Sequence, residues 1–365
     1  MIDPSDPPAQ DQFWRPPLGQ VAIVSLLCVG VLFLTVGASA QFFNLSWGLW
    51  FSEVVVFLGV PFVALQVTGR SPLRSTGLDQ PAKGLAAGFV LGALNYAAWA
   101  VPLMWVAERF FPAELVERYS AARLFDRQSG LELSILVAGI SLAAPFCEEV
   151  FYRGLLQRGL AERLPIARAI VVTALLFSLM HFDPVGFLAR FELGLLFGLL
   201  AWRGGSLWPA IGAHAANNIT SLVIFFAAGG DDGDLSIPLV GTMFVAGNVA
   251  LIGWAFGLSR WSWWVAPQPA ADDVAPFAPF FKAVAPWMVG ALVGLVTLAL
   301  IDRRGVQLNI IDVMTPVPAP KKDASDGERA AWKDLQDLRA RVRSGDGGLD
   351  EYKAMRQLAA PSDSP

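Results

Sequence analysis

The stretch APFCEEVFYRG, residues 144–154, decides how this chain is read. It closes an apolar run long enough to lie in hydrocarbon, and two adjacent glutamates, Glu148 and Glu149, stand at its end. Holding a charged side chain at the bilayer centre costs roughly 3 kcal/mol, so such groups are functional candidates by default. Arg153 lies four residues after Glu149 and shares its helix face, so it can neutralise that carboxylate. Glu148 points about 100° away and is left for other work.

The chain around this stretch has 365 residues, of which 55% are apolar and 16% charged. An ordinary soluble domain carries about 25% charged residues, and the mean hydropathy here is +0.50. Most of the chain therefore belongs in a lipid bilayer. A net charge of −4 without a basic block excludes a nucleic-acid partner. Cys28 and Cys147 both lie in apolar runs and read as free, buried thiols. The first apolar run follows an acidic, proline-rich leader and is too long for the core of a removable signal peptide.

About 20 apolar residues cross the hydrocarbon. Candidate spans are 21–42, 48–68, 85–107, 133–152, 166–181, 187–202, 206–228, 237–258 and 284–301. The expectation is an all-α, polytopic bundle of about eight helices around an intramembrane catalytic cavity. Residues 1–16 form a polar leader, 17–301 the membrane domain and 302–365 a polar tail. Residues 108–132 mix charge with aromatics and read as an interfacial segment. Trp254, Trp261, Trp263 and Trp264 read as an interfacial aromatic belt. Within the tail, 326–359 reads as a helical pair broken at SGDGG. The placement of Lys and Arg favours an internal N-terminus, and eight crossings put both ends inside.

The chain has two histidines, His181 and His214, both in apolar spans. Leu164-Pro165 is a natural break midway between Glu148 and His181, so a hairpin folded there brings the two to one depth. At 1.5 Å per residue His181 lies about 17 Å deep and His214 about 12 Å deep. Asp183-Pro184 then breaks the helix, which lipid tolerates only where protein or water covers the backbone. Asn218 shares a face with His214. One reading of this set is activated-water chemistry, with a desolvated carboxylate as base and His214 and Asn218 as donors to an oxyanion. Another is zinc held by Glu148, His181 and His214 with an open fourth position.

EEVFYR (148–153), FSLMH (177–181) and HAANN (214–218) resemble the EExxxR, FxxxH and HxxxN motifs of the CPBP (CAAX protease and bacteriocin-processing, or Abi) family of intramembrane proteases. The resemblance covers about 133–228. It implies that Glu148 and His181 activate water, that His214 and Asn218 line the oxyanion site, and that Glu149, Arg153 and Phe177 support them. It implies hydrolysis of a membrane-associated protein or peptide, with or without zinc. The architecture suggests a bacterial inner membrane and a processing or sorting role.

The bland alternatives are a buried ion network for the glutamates, interhelical hydrogen bonds for the histidines, and helix glue for Asn218. Glu53, Asp183, Arg190 and Glu192 read better as structural pairs than as cavity lining. A non-catalytic membrane scaffold or immunity protein is the alternative function. A proton-coupled transporter is a third, disfavoured because the polar groups gather in one place and no internal repeat is evident.

Overall fold

A computed structural model describes residues 16–80, 82–125, 130–229, 235–258, 303–315 and 324–359, with positions 317 and 320. It is helical, and no strand occurs among the described residues. Among the described residues, eight helices of 14 residues or more precede residue 259. They are α1 (Leu18–Phe42), α2 (Leu45–Val67), α3 (Leu85–Phe110), α4 (Gly130–Ala161), α5 (Ile166–Leu179), α6 (Phe187–Gly204), α7 (Trp208–Ala227) and α8 (Ile237–Leu258). The chain divides into two units, Met1–Ala291 and Leu292–Pro365.

Six of these helices, all but α5 and α6, are long and apolar enough to cross a membrane. Helix α5 is apolar but has 14 residues. Helix α6 has 18 residues and carries Arg190, Glu192 and Arg203. Pro165 precedes α5 and fixes the turn from α4, where the sequence placed the hairpin. The segment after α3 breaks into two short helices, Ala113–Arg118 and Ala121–Phe125. The expected span 284–301 and Trp261, Trp263 and Trp264 lie outside the described residues.

Close backbone contact sets the position of α7. A Cβ on Gly88 would come within 2.0 Å of the Pro209 carbonyl oxygen, and one on Gly92 within 2.0 Å of that of Ala213. Gly212 meets Leu85 in the same way. This is small-residue packing of membrane helices, where van der Waals contact replaces the hydrophobic drive. It presses α7, with its histidine, against α3. Opposite faces carry exposed Val54, Val55, Val63, Val223, Val245 and Val249, as lipid-facing surfaces do.

Helix α4 is the centre of this unit. Tyr152, Phe151, Leu155 and Leu156 are almost wholly buried. Trp50 of α2 donates to the Ile135 carbonyl at 2.9 Å, and Gln157 donates to the Gly198 carbonyl of α6 at 3.0 Å. Turns at Gly139–Ala143 and Val150–Gln157 are π-helical and flank the glutamates. Wide turns of this kind are frequent at functional sites.

The second unit contains α9 (Arg303–Met314), α10 (Asp326–Ser344) and α11 (Leu349–Ala359). Leu308, Ile311, Leu335, Leu338, Val342 and Tyr352 form its core. Gly345, at φ +106°, ends α10 in a conformation suited to glycine. The sequence indicated α10 and α11; α9 it missed, reading those residues as part of the polar tail.

Candidate active site

Glu148, Glu149 and Arg153 all point into the bundle and are buried. Arg153 Nη1 donates to Glu149 Oε1 at 2.8 Å. Nη2 donates to the Gly194 carbonyl of α6 at 3.0 Å. The guanidinium carbon lies 4.7 Å from the Phe177 ring centroid and 5.3 Å from that of Phe197. With the Tyr152 ring at 5.8 Å, the charge of Arg153 is thus met by one carboxylate, one carbonyl and three aromatic faces.

Glu149 has a second partner that helical spacing could not reveal. Its Oε1 also accepts from His214 Nδ1, at 2.9 Å. The His214 ring stacks on Phe197 with centroids 4.7 Å apart and planes 18° apart. With Nδ1–H committed to the carboxylate, Nε2 is the ring nitrogen left for another contact. That nitrogen is 4.0 Å from Glu148 Oε2.

His181 follows the end of α5, and its side chain is exposed on the protein surface. Its Nδ1 lies 2.8 Å from the Phe177 carbonyl oxygen. A carbonyl only accepts, so Nδ1 carries the proton and Nε2 presents a lone pair. The Phe177 ring lies between the imidazoles, 5.0 Å from His181 and 5.7 Å from His214. Asn218 Nδ2 donates to the Ile140 carbonyl of α4 at 2.8 Å, and its Oδ1 accepts from Asn217 at 3.3 Å. Of the charged groups read as structural pairs, Asp183 bonds Arg190 and Glu192 accepts from Asn95. Glu53 is different. It is 3% exposed, lies within Coulombic reach of Glu148, and its Oε2 has no hydrogen-bond partner.

Four further buried atoms here lack a partner: Glu148 Oε2, Glu149 Oε2, Tyr152 Oη and Arg153 Nε. Buried polar atoms are nearly always satisfied, so a cluster of exceptions marks a place where another group is to bind. For a metal, the second shell is suitable, since both imidazoles give Nδ1–H to an oxygen. The convergence is not. Among the described residues, no three His, Cys, Asp or Glu groups stand close enough to hold an ion. Glu148, His181 and His214 as arranged do not fit zinc. A groove lined by Ala40, Trp47, Trp50, Phe51 and Val54 lies elsewhere and includes none of these groups.

Residues 130–220 match the family model described as type II CAAX prenyl endopeptidase Rce1-like. In this segment the chain is similar to the Rce1-like domains of the CPBP/CAAX protease family. The matched segment contains Glu148, Glu149, Arg153, Phe177, His181, His214 and Asn218, and with them α4, α5, α6 and most of α7. Together with the apolar helices it makes this chain a multi-pass integral membrane protein. No curated protein and no solved structure matches the chain.

Proposed function

We propose that this protein is an intramembrane endopeptidase that hydrolyses a peptide bond of a membrane-associated protein with water activated at Glu148. The supporting observation is the chain Arg153–Glu149–His214, which turns Nε2 of His214 toward a carboxylate oxygen that has no hydrogen-bond partner. A separation of 4.0 Å between Glu148 Oε2 and His214 Nε2 lets one water donate to both at ordinary hydrogen-bond lengths. Glu148 takes a proton from that water as the oxygen attacks the carbonyl carbon. The proton then passes to the amine nitrogen as the C–N bond breaks, leaving a carboxylate and an amine. His214 holds the water. His181, with its own Nε2 lone pair, accepts or relays a proton at the open side of the site.

Glu149 and Arg153 hold His214 in the tautomer this requires. The setting we propose is a bacterial inner membrane, where the substrate is a bacteriocin leader, a membrane-anchored regulator or a C-terminal sorting segment. The test compares the membrane proteome of cells carrying the parent protein with that of cells carrying Glu148→Gln, scoring new peptide termini. Termini present only with the parent support the endopeptidase. Identical termini, with both proteins inserted at equal levels, support the non-catalytic scaffold. Dialysis of the purified protein against a zinc chelator leaves the rate unchanged on this reading. A loss restored by zinc would assign Glu148, His181 and His214 to a metal instead.

A further inference from the structure

Hydrolysis of an amide generates a negative oxygen that must be met by donors, and the residues above leave few. His214 Nδ1–H is given to Glu149, and His181 Nδ1–H to a backbone carbonyl. On the reading above, His214 Nε2 accepts from the water and gives no donor to the oxyanion. The Asn218 amide gives one N–H to the Ile140 carbonyl and keeps the other. A cation that no step has yet used lies nearby, on the first turn of α6.

Arg190 is held in place from two sides. Asp183 Oδ2 pairs with its Nη2, while Asp183 Oδ1 accepts from the backbone N–H groups of Val185 at 2.9 Å and Gly186 at 3.1 Å. The guanidinium also lies directly over Gly186. A Cβ at that position would come within 2.4 Å of Nη2 and 2.6 Å of the guanidinium carbon. Phe182, with φ +51°, reverses the chain between His181 and this clamp. The Nε atom of Arg190 is buried and has no partner. Arg190 stands one helical turn before Gly194, whose carbonyl accepts from Arg153 at 3.0 Å, so it lies on the face of α6 turned to the site. A fixed cation with a free N–H beside the reacting groups is what a developing oxyanion requires, because it needs no reorganisation when the charge forms.

We propose that Arg190, clamped by Asp183 and seated on Gly186, donates its Nε–H to the oxyanion of the tetrahedral intermediate. This rests on the endopeptidase reading and assigns it a catalytic residue outside the three motifs. The guanidinium gains a hydrogen bond as the carbonyl oxygen becomes negative and loses it when the C–N bond breaks and the carbonyl re-forms. No bond to Arg190 is made or broken.

The test uses the full-length protein in nanodiscs. Its probe is a pool of quenched-fluorescent palmitoyl-decapeptides, randomised at the central positions. The member cleaved best by the parent serves for kcat and KM. Arg190→Gln is expected to lower kcat by about 10²–10³-fold, the usual cost of one oxyanion donor, with KM little changed. Arg190→Lys keeps the charge without the fork and recovers part of the loss. Gly186→Ala keeps every charge and pushes the guanidinium aside, so it too lowers kcat. If Arg190→Gln leaves Asp183 unpaired and the protein misfolds, Asp183→Asn/Arg190→Gln removes both charges and gives the same loss of kcat. An unchanged kcat in the folded variants, or a raised KM at constant kcat, overturns the assignment and leaves the endopeptidase standing. A pool that the parent does not cleave at all overturns both.

Discussion

Two arginines, each four residues beyond its partner on a helix, show how differently this chain uses the same device. In the second unit, Arg356 has every donor group engaged. Its Nε bonds the Thr315 carbonyl at 2.8 Å, and Nη2 bonds the Asp312 carbonyl at 3.2 Å. Its Nη1 bonds Tyr352 Oη at 3.1 Å and lies 2.9 Å from Asp312 Oδ1. Tyr352 and Arg339 fill what remains of the Asp312 carboxylate. These bonds close the C-terminal carbonyls of α9, where a cation also suits the helix dipole. Burial, followed by the bond to Asp312, raises the Tyr352 phenol above its ordinary value.

Arg153 is buried more deeply yet leaves Nε unpartnered, and three neighbouring side chains do the same. A network that only holds structure together completes its hydrogen bonds, because each orphan costs about 1–3 kcal/mol. A network kept incomplete in hydrocarbon is paying for something else. The contrast separates a structural cluster from a candidate site without reference to any motif, and it can be broken at several points.

The largest expected effect is at Glu148. Glu148→Gln keeps the shape and removes the base, so cleavage falls by about 10²–10⁴-fold. The same change removes a desolvated charge, and the melting temperature in detergent is expected to equal or exceed that of the parent. A variant that still cleaves at the parental rate would sink the role given to Glu148.

Next are the partners Arg153 and Glu149. Arg153→Met leaves Glu149 buried without its cation and is expected to cost about 3–5 kcal/mol. Glu149→Gln strands Arg153 at a similar cost and frees the His214 ring to turn. The double variant Glu149→Gln/Arg153→Met removes both charges, so most of the stability returns. Activity does not, because glutamine can turn its NH2 as well as its oxygen to His214 and no longer fixes the tautomer as an acceptor-only carboxylate does. Melting curves and cleavage rates for the three variants test this, and recovery of both together would make the pair purely structural.

How much of this was legible follows from what spacing can encode. The Glu149–Arg153 pair was, because four residues on one helix is local geometry. The α4–α5 turn at Pro165 was, because proline acts on its own neighbours. The bond from His214 to Glu149 was not, because it joins residues 65 apart through the packing of α7. That packing depends on Gly88, Gly92 and Gly212, whose role is visible only once two backbones meet. The imidazole 4.0 Å from Glu148 is that of His214, whereas equal depth along a hairpin favoured His181. Depth fixes one coordinate and says nothing of rotation. Helix α9 escaped notice because its apolar face is short and a proline-rich, charged stretch, 316–322, follows it. Arg190 was visible as a charge in a weak span, and its clamp on Gly186 appears only in three dimensions.

In the second unit the comparison predicts a loss confined to stability. Arg356→Ala removes the closure of α9 and leaves Asp312 and Tyr352 with fewer partners, at a cost of about 2–3 kcal/mol. Limited proteolysis of the full-length protein is expected to cut within 303–359 more readily, with cleavage of substrate unaffected. A parallel fall in catalytic rate would mean that the completed network is not merely structural.

The smallest effect is at the start of α10, where an exposed cap also completes its bonds. Ser325 Oγ accepts from the Glu328 backbone N–H at 3.3 Å, and the Glu328 carboxylate accepts from the Ser325 N–H at 2.7 Å and from its hydroxyl at 2.8 Å. This is a capping box. The backbone bond first, and the hydroxyl bond second, hold the Glu328 carboxyl below its ordinary value. A group depressed on folding stabilises the helix fully above its unfolded pKa, about 4.3 for glutamate. The contribution is lost as pH falls from there through the folded value. Ser325→Ala removes the hydroxyl as donor and acceptor but keeps the backbone bond. At pH 7, hydrogen exchange over 326–332 is expected to quicken by about five-fold, the size of an ordinary cap loss. Lowering the pH below 4 should shrink the difference between variant and parent, once each rate is corrected for the intrinsic effect of pH. A difference that stays constant through that window would show that the hydroxyl, and not the carboxylate it bonds, carries the cap.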